Sequence, residues 1–157
     1  MSMRRLGIAF TSGILAFGAM AGTAIAEQPA PTTFVAVLDT DQETTTCPKS
    51  NSARGLAVFH VTDEAAGTVE WKLVANNLPG NITAAHIHLA PKGVAGGVVQ
   101  PLPPTPGEEN GVIGTGSFTN PGLLAAIRAN ESLYYVNVHT TTCPGGAIRG
   151  QLGDHGP

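Results

Sequence analysis

Short runs of apolar residues, many at alternate positions, recur along the chain between clusters of Gly, Pro, Asn and Asp. That rhythm predicts strands, because successive side chains on a strand point to opposite faces. Phe34 to Leu38, Gly55 to Thr62 and Thr68 to Ala75 predict the first three. Asp63 to Gly67 forms the hairpin turn between the second and third. Ile82 to Leu89, Gly97 to Val99, Gly111 to Phe118, Tyr134 to Thr140 and Ala147 to Leu152 predict five more. Pro101 to Asn110 holds four prolines and predicts a surface loop, since a central strand cannot lose so many amide donors. Asn120-Pro121 reads as an N-cap followed by proline at the first helical position. Leu123, Leu124 and Ile127 follow at helical spacing, and Asn130 ends the turn. The sum is an all-β fold, an antiparallel β-sandwich or Greek-key-like barrel with one short helix.

Alternation also assigns faces. Ala57, Phe59 and Val61 face inward, as do Val69, Trp71 and Leu73, and then Ala85, Ile87 and Leu89. Tyr134, Val136, Val138 and Thr140 form the core face of their strand. His86 and His88 share the opposite face of one strand, and Tyr135, Asn137 and His139 that of another.

The N-terminus breaks this pattern. Arg4 and Arg5 precede an uncharged apolar stretch from Leu6 to Met20, and Ala24-Ile25-Ala26 fits a cleavage site. Residues 1–26 are expected to be a secretory signal of bacterial type. Residues 27–157 are expected to be a single domain with no further membrane span, periplasmic or secreted. The whole chain has a formal net charge of −3, and losing Arg4 and Arg5 makes the remainder more acidic. Such a sparse acidic balance excludes nucleic acid as a partner.

Export changes the reading of Cys47 and Cys143, each preceded by three threonines and followed by proline. In an oxidising compartment a distant pair is most simply a disulfide. Closing a loop of roughly a hundred residues stabilises by about 4–5 kcal/mol in the chain-entropy model. The alternative is a pair of thiolate metal ligands, without the usual close spacing.

The candidate chemistry is histidine. His86 and His88 stand roughly 6–7 Å apart along one strand, a spacing at which two imidazoles can bite one metal ion. His139 is the candidate third ligand and Asn137 a candidate hydrogen-bond partner behind it. The alternative is three solvated imidazoles that bind nothing. His60 faces outward on the second strand, and His155 lies in a Gly/Pro tail. Glu108-Glu109 reads as a solvated loop tip. Arg149 reads as structural, pairing with a carboxylate or carbonyls to hold the last strand. Asn81-Ile82-Thr83 and Asn130-Glu131-Ser132 match glycosylation sequons. No nucleophile elbow, phosphate loop or metalloprotease helix motif is present.

Ala85-His86-Ile87-His88, the Gly93 to Val99 segment, Tyr135-Val136-Asn137-Val138-His139-Thr140 and Gly145-Gly146-Ala147-Ile148-Arg149-Gly150-Gln151-Leu152 form an ordered set. This set resembles the chordin-type (CHRD) domain from about Phe34 to Leu152. The resemblance implies an extracellular or periplasmic β-sandwich and no agreed activity. Leu89-Ala90-Pro91 departs from the Gly-Pro that many members carry, and the cysteine pair lies outside the family pattern. His86, His88 and His139 are also similar in arrangement to the copper ligands of copper/zinc superoxide dismutase. The histidine and aspartate cluster of that enzyme's zinc loop has no counterpart here. Three readings remain: an exported binding or envelope module with one copper or zinc ion, a copper-dependent redox enzyme of dismutase type, and a metal-free structural or adhesion module. The first and third take an envelope protein or glycan as partner.

Overall fold

A computed structural model describes residues 30, 32–45, 47, 52–108 and 110–153. The expected signal at 1–26, Glu109 and His155 lie outside the described residues.

Eight strands form: β1 (Thr33–Asp39), β2 (Arg54–Asp63), β3 (Thr68–Asn76), β4 (Ile82–Leu89), β5 (Gly97–Pro101), β6 (Gly111–Thr119), β7 (Tyr134–Thr140) and β8 (Ile148–Gln151). All pairings are antiparallel. They run in the order β5-β4-β7-β8-β1-β2-β3-β6, so one curled sheet supplies both layers around a common core. The β2–β3 hairpin sets the register early, placing Ala57 opposite Leu73, Phe59 opposite Trp71 and Val61 opposite Val69. The turn between them closes where the Asp63 carboxylate accepts from the Ala66 amide at 2.9 Å and Gly67 takes a positive φ of 68°. A side chain at Gly67 would also collide with Pro121.

The helix α1 (Pro121–Ala129) begins as expected, with Asn120 Oδ1 accepting from the Leu123 amide. Leu123, Leu124 and Ile127 are buried in the core that β1–β4 and β6–β8 line. A single 3₁₀ turn, Glu131–Leu133, then leads into β7. Among the described residues no helix is long and apolar enough to cross a membrane.

Two expectations need correction. Pro101 to Asn110 is not wholly a surface loop: Pro101 belongs to β5, and Leu102 is fully buried. The Leu102 amide donates to Ala85 of β4 and the Thr105 amide to Ile113 of β6. This stretch therefore bridges the two ends of the curled sheet with bonds its prolines do not interrupt. Leu89 was assigned to the core face, yet it is 45 % exposed. It is the last residue of β4, where the sheet no longer has a layer to cover it.

β8 depends on one glycine. A Cβ at Gly150 would lie 2.3 Å from the Val37 carbonyl oxygen of β1, well inside van der Waals contact. Gly150→Ala is expected to cost roughly 1–3 kcal/mol by forcing the two strands apart. Urea unfolding checks this, and an unchanged midpoint would show that the strands yield freely.

Candidate metal centre

β4 and β7 pair so that Ala84 faces His139, His86 faces Asn137 and His88 faces Tyr135. Directly paired residues share a face of the sheet, so all three imidazoles stand on the side away from the core. Next to them the β4–β5 ladder bulges, with Ile87 opposite Gln100 and His88 opposite Val98.

The ring centroids of His86, His88 and His139 lie 5.5, 5.1 and 5.9 Å apart pairwise. One potential ligand atom from each falls within 4.8 Å of the others. Nitrogens sharing one zinc ion at normal bond lengths and tetrahedral angles would lie about 3.4 Å apart, so rotamer adjustments of roughly 1–1.5 Å would close the site. The three side chains are close enough to hold one metal ion.

Their hydrogen bonds decide which nitrogens are available. His88 Nδ1 meets the Gly96 carbonyl at 2.9 Å, and His139 Nδ1 meets the Pro144 carbonyl at 3.0 Å. A carbonyl only accepts, so each Nδ1 carries the proton and each Nε2 keeps its lone pair. His88 Nε2, His139 Nε2 and His86 Nδ1 are shielded from solvent and have no hydrogen-bond partner. Buried polar atoms are rarely left so; three of them on neighbouring rings form a cradle for a Lewis acid.

Charge favours the same state. Burial holds the pKa of all three histidines below the ordinary value. For His86 the neighbouring His139 and His88 add to this. At His88 the Gly96 carbonyl opposes it while Arg149 adds to it; at His139 the Pro144 carbonyl opposes it and His88 adds to it. The cluster is neutral at pH 7, the form that ligates metals.

Three coverings close over the face that carries the histidines. His88 is buried, and His86 and His139 are half-buried. Residues 90–96 are held against β8 by Arg149 and Gln151, Glu43 and Thr45 approach Gly146 and Gly145 from the β1 side, and Pro144 of the turn 141–146 meets His139. Tyr135, Asn137, Arg149 and Gln151, all on this outer face, are at most 4 % exposed.

Arg149 fastens the first covering. Its Nη1 donates to the Val94 carbonyl at 2.8 Å and its Nη2 to the Pro91 carbonyl at 3.0 Å. The guanidinium lies 3.5 Å from the centre of the Tyr135 ring, which in turn stacks on His88 at 4.8 Å and 11°. Gln151 donates to the Ala90 and Ser132 carbonyls. The histidine orientations come from the backbone carbonyls of Gly96 and Pro144; the Asn137 Oδ1 has no hydrogen-bond partner. His60 stands apart on β2, exposed and 3.3 Å from Thr33 Oγ1. Glu108 is exposed on its loop. Cys47 and Cys143 are joined, with Cα atoms 5.5 Å apart.

The sequence pattern passed over Glu43. Its carboxylate is largely buried without a well-formed hydrogen bond, beside Asn137 and the backbone of Gly146. Burial raises its pKa to about 7, against the opposing effects of Arg149 and the Thr44 amide. An acid two residues after Asp41 and just before a run of threonines carries no sequence signal for this; only the folded loop buries it. A carboxyl pKa raised on folding favours the native state below about pH 4.5, and that contribution is lost as pH rises through about 7. Glu43→Gln is expected to gain roughly 1–2 kcal/mol over wild type at pH 8, after allowance for solvent screening, and little at pH 4.5. Urea unfolding of both proteins at the two pH values checks this; an equal difference at both would refute the ionisation.

The CHRD domain family model matches residues 34–152. No curated protein and no solved structure gives a significant match.

Proposed function

This chain belongs to the CHRD domain family, and from that premise we propose that it is an exported binding or envelope module that holds one copper or zinc ion at His86, His88 and His139. The observation that carries the reading is the set of three unpartnered, solvent-shielded ring nitrogens on neighbouring side chains. Three neutral imidazoles and no carboxylate suit borderline ions such as zinc and copper, with copper(II) favoured on intrinsic affinity. Bound there, the ion would supply a Lewis-acidic centre.

The protein residues have separable tasks. His88 and His139 offer Nε2 because carbonyls hold their Nδ1 protons, and His86 offers Nδ1. Tyr135, stacked against His88 and backed by Arg149, keeps that ring from turning. The burial that shields the nitrogens favours retention of an ion over rapid exchange with a substrate. Arg149 is 1 % exposed and bonds two carbonyls of the covering segment, so it is not presented to an incoming anion. Both features favour a binding module over a dismutase-like enzyme. A disulfide and the lack of a membrane-crossing helix among the described residues are consistent with a periplasmic or extracellular setting.

The test is titration of apo protein with zinc(II) and with copper(II) at pH 7.5. One equivalent is expected to bind, with little proton release because the ligands are already neutral. If neither ion binds, the metal-free structural or adhesion module is what remains.

A further inference from the structure

The cysteine pair sits one residue from the carbonyl that orients one of the three imidazoles. Cys143 is 2 % exposed and centres a tight turn leaving β7. The Thr140 amide donates to the Cys143 carbonyl at 3.2 Å, and the Cys143 amide returns a bond to Thr140 Oγ1 at 3.1 Å. The Gly146 amide also donates to the Cys143 carbonyl, and the Ala147 amide to Val138 of β7. These bonds shape the turn that carries the next residue, Pro144, whose carbonyl accepts a hydrogen bond from His139 Nδ1–H. From the other side the loop after β1 presses onto the same turn at Thr45: Gly145 packs against it with no room for a Cβ at ordinary distance. The disulfide joins that loop to the turn across 96 residues of chain.

From this arrangement we infer that the Cys47–Cys143 disulfide is a positioning element of the metal centre, holding His139 in its ligating tautomer and so coupling metal affinity to the oxidation state of the pair. The inference rests on the metal reading proposed above. His88 is oriented independently, through Gly96, so the effect falls on one ligand of three. A dithiol reductant opens the bridge by two-electron exchange: its thiols become a disulfide, and Cys47 and Cys143 each take up a proton as free thiols. The loop then no longer braces the turn, the Pro144 carbonyl is left to the turn's own bonds, and the His139 ring gains freedom to change tautomer. Groups that orient a ligating histidine typically contribute tenfold to a hundredfold in metal affinity. Coupling is reciprocal, so a bound ion would make the disulfide harder to reduce by the same factor, about 30–60 mV.

The experiment uses zinc(II), which thiol chemistry does not reduce, and a Cys47→Ala/Cys143→Ala variant of the full chain, which has no thiols to bind the probe. Zinc affinity is measured by competition with a chromophoric chelator. Histidine tautomers are read by nitrogen-15 NMR in the metal-free protein. The expected result is a tenfold to hundredfold weaker zinc affinity, with His139 moving from pure Nδ1–H to a mixture while His88 stays as it is. The conservative Cys47→Ser/Cys143→Ser variant, likewise free of thiols, serves the same measurements should the alanine variant fail to fold. A folded variant with wild-type affinity and an unmoved His139 tautomer overturns the inference and leaves the metal reading intact. Failure of the wild-type protein to bind zinc or copper overturns both.

Discussion

Arg149→Ala is expected to lose roughly 3–5 kcal/mol of folding stability, the cost of removing one partner from a buried charged network. The side chain is 1 % exposed, it bonds two carbonyls, and it covers the Tyr135 ring. Alanine would leave the Val94 carbonyl without its guanidinium donor, leave the Pro91 carbonyl with the Val94 amide alone, and open a space between β8 and the loop 90–96. The opposing attraction on Glu43 would vanish too, raising its pKa beyond about 7. Lysine is not expected to rescue, since an ammonium cannot reach two carbonyls in a fork while stacking flat on a phenol ring. For a domain of this size the melting temperature should fall by on the order of ten to twenty degrees. Thermal and urea unfolding check this; a loss below about 1 kcal/mol would mean that water replaces the guanidinium without penalty.

The second large effect is metal-dependent. An ion that binds only the folded chain, present at a hundred times its dissociation constant, adds about 2.7 kcal/mol of stability. His88→Ala is expected to abolish that gain while leaving the stability of metal-free protein within about 1–2 kcal/mol of wild type. His139→Ala should behave alike, and His60→Ala should keep the full gain because His60 lies outside the cluster. With the three pKa values held below the ordinary histidine value, proton competition should appear only at pH values clearly under 6.5. Calorimetric scans of the four proteins with and without zinc or copper decide the matter. Equal metal-induced stabilisation in His88→Ala and wild type would place the ion elsewhere.

The strand positions were legible because alternation has a period of two and nothing in the chain imitates it. Val69, Trp71 and Leu73 could face only one way, and their partners Ala57, Phe59 and Val61 followed. The helix was legible from its cap, since Asn120-Pro121 places an acceptor and a fixed φ where a first turn needs them. The assignment failed at strand ends, where alternation continues but the opposite layer stops: Leu89 is apolar and exposed. It failed again where loops cover a face. Tyr135, Asn137 and Arg149 carry an outward register, yet segments distant in sequence bury them.

Sequence alone determined an antiparallel β fold with one short helix; it put His86 and His88 on one face of their strand and turned His139 away from the core on another. It could do so because strand geometry is local and repeats identically wherever the pattern occurs. Tertiary structure decided everything that depends on segments meeting: the bare ring nitrogens, the tautomers set by Gly96 and Pro144, the raised pKa of Glu43 and the stack of Arg149 on Tyr135. Those properties arise from desolvation and from backbone carbonyls, and neither leaves a trace in the identity of the residue that supplies it.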